Sequence, residues 1–164
     1  MATDDLRDLY LEQVQEMYSA CRQSEEITAK MAEVAHAKDL RDALERGVQG
    51  IARGRDTMAQ LARAHGAEPG GDHSKGMEGL VSEARKDVLE ERFSDPDARD
   101  AAIIAQYQRM AHFAIAGYGT IRAFAKRLKL DAEAEAAQEC LDKSYDGDRV
   151  FTDIATGHVN RDAA

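Results

Sequence analysis

Few side chains in this sequence could do chemistry. The acids Asp142, Asp146, Asp148 and Asp153 cluster near the C-terminus, and Asp148 falls on the inward stripe of the helix that carries them. There it serves either as the partner of an arginine or as part of a residual cation site, with Asp142 on the same helix and His112 on the preceding one as the other candidate ligands. The run Ala111-His112-Phe113-Ala114 sets His112 about 100° off the stripe that holds Ala111 and Ile115, so it faces a neighbour or solvent rather than the bundle axis. His36, His65, His73 and His158 sit at helix ends or in a loop, where a cationic ring is locally favourable without any site. Cys21 lies on the inward face of the first helix and reads as a small buried hydrophobe; a redox role would need access and a lowered pKa. The segment GAEPGGDHSKG has glycine and lysine but neither the preceding strand nor the spacing of a phosphate loop, and no serine stands in a nucleophile elbow.

The elements that must position these residues are helices. The chain has 164 residues, two prolines, no tryptophan and a net charge of −9. That charge supplies no excess of lysine and arginine for phosphates and excludes a nucleic-acid reading. Two cysteines, Cys21 and Cys140, make no disulfide framework, the opening Met-Ala-Thr-Asp-Asp is no signal peptide, and no apolar run reaches a membrane span. A soluble cytoplasmic protein with no membrane partner is expected, folded as a single domain over residues 1–164 with a tail that frays from about 159.

The central helix is Asp95–Leu128, opened by Asp-Pro and long enough for about nine turns. It carries two apolar stripes, one through Ala101, Ile104, Ala111, Ile115, Tyr118 and Ala125, the other through Ile103, Tyr107, Met110, Ala114, Gly117, Ile121 and Phe124. A helix apolar on two sides must be covered on both. A first helix, capped by Thr3, runs to about His36; a second runs from Asp39 to His65 and is stopped by Gly66 and Pro69. After the loop Gly66–Gly76 comes a short helix from Met77 to Glu91, and a last helix capped by Asp131 behind Leu130. Four long helices, with a short one inside a long connection between the second and third, describe an all-α, ferritin-like four-helix bundle.

The same residues resemble the YciE/YciF group of ferritin-like proteins, a family associated with stress responses and often labelled ferroxidases. The resemblance covers roughly residues 15–155. It rests on Tyr18-Ser19-Ala20-Cys21-Arg22-Gln23, Met77-Glu78-Gly79-Leu80, Asp95-Pro96 with Arg99-Asp100-Ala101-Ala102, Ala116–Leu128 around Tyr118-Gly119-Thr120, and Leu141–Thr152. It implies a di-iron site of carboxylates from four helices with two histidines. The ligand positions that it implies fall here on Cys21, on Gly50 (or Gln49) and Gly54, on Ala111 and Ala114 around His112, and on Asp142-Lys143-Ser144 with Asp148 one turn on. Almost none can bind iron as a carboxylate, so the expectation is a bundle without a metal cofactor. The alternative keeps iron on a non-standard set drawn from Asp148, Asp142, His112 and Glu45.

The replacements are small. Gly47, Gly50 and Gly54 follow one side of the second helix, while Ala111, Ala114 and Gly117 occupy the central one. Each glycine inside a helix costs about 0.5–1 kcal/mol relative to alanine. Close backbone approach between helices, a pocket for a small apolar ligand where the metal would sit, or drift after loss of function would each explain them. The functional expectation is a non-catalytic, stress-associated structural or interaction protein, forming a homodimer that covers the second stripe of the central helix.

Overall fold

The computed structural model describes residues 3–164; Met1 and Ala2, part of the opening read against a signal peptide, lie outside them. Four long helices make a ferritin-like bundle: α1 (Leu6–Val34), α2 (Lys38–Ala64), α4 (Pro96–Arg127) and α5 (Asp131–Ile154), with the short α3 (Lys75–Ala84) between α2 and α4. No strand occurs among the described residues.

Contacts at the two ends fix the topology. Asp100, in the first turns of α4, is fully buried and accepts hydrogen bonds from the backbone N–H groups of His36 (2.8 Å) and Ala37 (2.7 Å) at the α1–α2 bend. Ala37 stands at the N-cap of α2 and offers no side-chain oxygen, so the missing cap comes from a helix far away in sequence. At the opposite end His65, closing α2, lies 2.9 Å from Glu133 in the first turn of α5, and Glu133 also accepts from the buried Tyr10 hydroxyl of α1. Hence α2 and α4 run the same way, and the connection between them must climb the bundle. It does so along α1: Gln15 Nε2 donates to Glu68 O at 2.6 Å, the Ser74 N–H donates to Ser19 Oγ at 3.0 Å, and Gln106 Nε2 reaches Asp87 at 2.9 Å farther on.

Several caps differ from the sequence reading. Thr3 does not cap α1; Asp5 does, accepting from the N–H groups of Arg7 and Asp8. Asp131 does not cap α5; Leu130 holds that position without a side-chain bond, and Asp131 serves as a first-turn acid. Leu130 is placed there by the end of α4, where its N–H bonds Ala125 O at 2.9 Å around Lys129, a residue held at φ 60°. Gly66 ends α2 as expected, with φ +70° and paired bonds from Gly66 to Arg63 O and from Ala67 to Ala62 O. The helix after the loop widens into a π-helical segment over Arg85–Glu90, and α5 does the same over Ala155–Val159. The expected fraying from 159 is not what the end of the chain shows. Val159 is buried, α6 (Asn160–Asp162) continues the helix, and His158 meets Asp39 at 2.8 Å.

Both stripes of α4 are covered in large part within one chain, with Ala101, Ala111, Ile115, Ala114, Gly117 and Phe124 left half-buried. Ile103, Tyr107, Met110 and Ile121 on one, and Ile104, Tyr118 and Ala125 on the other, are all buried, with α3 contributing Met77 and Ala84 to the same core. Most of the second stripe thus finds its cover inside the subunit, so a second subunit is not needed to explain it.

Candidate functional site

The small residues of α2 face tyrosines. A Cβ built on Gly54 would strike the Tyr118 hydroxyl, and one on Gly47 would lie 2.8 Å from the Tyr107 hydroxyl. A methyl group has no room at either place. Close approach thus explains two of the three glycines, but what approaches is a side chain rather than a backbone. Gly117 of α4 repeats the device, its missing Cβ position being taken by the Met17 thioether. Gly50 is different: the nearest atom to its added Cβ is Arg53 Nη2 at 3.9 Å, so this glycine makes room that no side chain of the fold fills.

The two hairpins, α1–α2 and α4–α5, pack closely within themselves, and the seam between α2 and α5 is looser. A half-open cleft of about 730 Å³ enters the bundle through that seam. Cys21, Gly47, Gly50, Gly54, Ala111, Ala114 and Ser144 all line it, so the structure brings together seven residues that the sequence places at or beside one site. Asp148 is not among the lining residues.

The polar groups at this centre are neutral. Cys21 Sγ and Tyr118 Oη share a hydrogen bond of 3.3 Å in the buried interior. Burial pushes the Cys21 thiol up to about 12, against the opposing pull of that hydrogen bond. Burial also raises Tyr118 well above the ordinary phenol range, and it lifts Tyr107 to about 12 with help from the Asp148 carboxylate. Cys140 is raised by burial too. Neither cysteine is poised as a thiolate. Ser144 turns its hydroxyl back to Cys140 O at 2.9 Å and offers no ligand. Tyr107 stacks on Phe151 with ring centres 3.9 Å apart, which fixes the ring behind its hydroxyl.

The three candidate cation ligands do not converge. His112 Nε2 lies 3.1 Å from Asp148 Oδ2, but the imidazole is 63 % exposed. Asp142 is held by Gln138 of its own helix at 2.8 Å on the exposed side. Asp148 keeps one oxygen, Oδ1, buried and without a partner. Among the described residues no group of three or more His, Cys, Asp or Glu side chains is arranged to hold a metal ion. Thiol, phenols, hydroxyl and hydrogen-bearing backbone in place of four-helix carboxylates do not fit a di-iron pair.

Three features escaped the sequence reading. Tyr107 counted there only as a member of an apolar stripe, and Tyr118 as a stripe member and part of the family resemblance, neither as a hydroxyl filling space at a glycine. Their signal was present: hydroxyl-bearing side chains on inward positions, opposite glycines on a partner helix. Asp100 is the third, and an acid three residues ahead of Ile103, in line with an apolar stripe, was its signal.

Comparison with known proteins places these features among relatives. A family model described as "Domain of unknown function (DUF892)" matches residues 5–164. Protein YciF of Escherichia coli (strain K12) is 28 % identical over 165 residues, covering 96 % of this chain and 95 % of that protein. Among solved structures, the E. coli stress protein YciF superposes with a TM-score of 0.88 at 26 % identity, covering 96 % of this chain and 99 % of that one. YcfI from Rhodopseudomonas palustris superposes with a TM-score of 0.84 at 27 % identity, covering 91 % and 94 %.

Proposed function

Because the chain belongs to the DUF892 family, we propose that it serves as a non-catalytic, stress-associated member of the YciF type, acting in the cytoplasm as a structural or interaction protein without a di-iron centre. One observation carries this reading. The Tyr118 hydroxyl fills the notch at Gly54 and bonds the Cys21 thiol, at two positions where the family resemblance would have metal ligands. A phenol and a thiol both held in their neutral forms by burial stabilise the fold by packing and a hydrogen bond, and offer iron no anionic oxygen. The stress association comes from the relative described as a stress protein. We further propose a homodimer on the strength of the resemblance alone, since α4 no longer argues for one.

The test is metal analysis of protein purified after growth with added iron and manganese, together with an iron-oxidation assay. The expected result is far less than one metal per chain and no oxidation above background. Near-stoichiometric, tightly held iron or manganese overturns the proposal. Light scattering on the same sample reads the subunit number. A second reading, a small-molecule binder, is favoured by a specific feature, the half-open cleft beside Gly50.

A further inference from the structure

We propose that the cleft between α2 and α5 binds an elongated apolar molecule ending in a carboxylate, an inference that rests on the small-molecule reading and names its ligand class. Three observations lead there. The volume of about 730 Å³ lies within the range of ligand sites, and the cleft walls are apolar: Met17, Met77 and Met110 supply adaptable side chains, and Val150 at the opening is 40 % exposed. Second, Thr28 lines the cleft, is fully buried, and its Oγ1 has no hydrogen-bond partner. A buried hydroxyl without a partner is destabilising, and a ligand oxygen supplies the partner.

Third, the charges around the opening are unequal in their partners. Its acids are each answered within the protein: Asp56 by Arg55 at 3.0 Å, Glu139 by Lys143 at 2.7 Å, and Asp146 by Arg149. Arg46 and Arg53, exposed on α2 and lining the same cleft, form no ion pair among the described residues. Two unanswered guanidinium groups favour a planar anion such as a carboxylate over a neutral or cationic head. The carboxylate oxygens are the partners that Thr28 and the arginines lack, and the tail replaces water against the methionines and the open face of Gly50.

Isothermal titration of the full chain with dodecanoate, dodecanol and dodecyltrimethylammonium, each below its aggregation limit, tests this. Dodecanoate is expected to bind one per chain, about tenfold more tightly than dodecanol, with the ammonium weakest. The variant Arg46→Gln/Arg53→Gln should bring dodecanoate to the level of dodecanol. Thr28→Val should weaken dodecanoate severalfold, and Gly50→Leu should abolish binding of all three. Equal binding of dodecanoate and dodecanol, unmoved by the arginine variant, overturns the carboxylate assignment and leaves the cleft reading standing. No binding of either overturns both. Binding untouched by a Gly50→Leu variant that keeps its helical spectrum places the ligand elsewhere and also overturns the proposal. Should Gly50→Leu fail to fold, the arginine variant decides alone, since both side chains are exposed and carry no ion pair.

Discussion

At the scale of single residues, the interior is a set of fitted pairs, glycine against hydroxyl and glycine against thioether. Gly54 and Tyr118 are one such pair, the space missing from one being occupied by the other. Gly54→Ala should therefore destabilise the protein by about 1–3 kcal/mol, the range for overpacking a closed core, although alanine is the better helix former. Tyr118→Phe in the same chain removes the colliding oxygen and should recover most of that loss. Denaturant melts of the two single variants and the double variant give the coupling directly; strictly additive losses would refute the fitted pair. The presence of this site was legible from residue types, since Gly47, Gly50, Gly54, Ala111 and Ala114 announce missing bulk. What occupies the space was not, because a tyrosine on an inward stripe satisfies hydrophobic periodicity whether or not its hydroxyl enters a notch across the bundle.

At the scale of elements, the four long helices and the short one in the second connection stood out from spacing, prolines and the glycine-rich loop. Their ends were less clear. Gly66 reads as a helix stop because only glycine takes positive φ without strain, whereas the stop at Lys129 carries no such mark. Lys129 adopts φ 60° because the next residue, Leu130, returns its N–H to Ala125 O. Lys129→Gly should consequently stabilise the chain by about 0.5–1 kcal/mol, relief of left-handed strain outweighing the added freedom of the unfolded chain. A higher denaturation midpoint with an unchanged m-value would show it, and a lower midpoint would contradict it. The π-helical turns at Arg85–Glu90 and Ala155–Val159 had no sequence signature, because their residues fit an ordinary α-helix equally well.

At the scale of the molecule, neutral groups buried at the centre tie stability to alkaline pH. An unfolded cysteine loses its proton near pH ~8.5, whereas Cys21 in the fold holds it to about 12. Above pH ~9 the unfolded chain therefore binds fewer protons than the native one, and stability falls by about 1.4 kcal/mol per pH unit for this group until the folded value is reached. Tyr107, also held to about 12, adds its own loss above pH ~10. Urea melts under reducing conditions between pH 8 and 11 should show that decline, and Cys21→Ala should flatten its first part. A Cys21→Ala profile parallel to the wild type throughout would mean that the thiol does not contribute.

The carboxylate of Asp100 has a further consequence for how the bundle comes into being. It is the acceptor for two amides at the bend joining the first pair of helices, and sixty-three residues separate it from the nearer of them. On a ribosome the first hairpin leaves the exit with both of those N–H groups facing water, and they stay so until the third long segment has been made. The bend is thus completed by a latecomer, a residue of the third long helix.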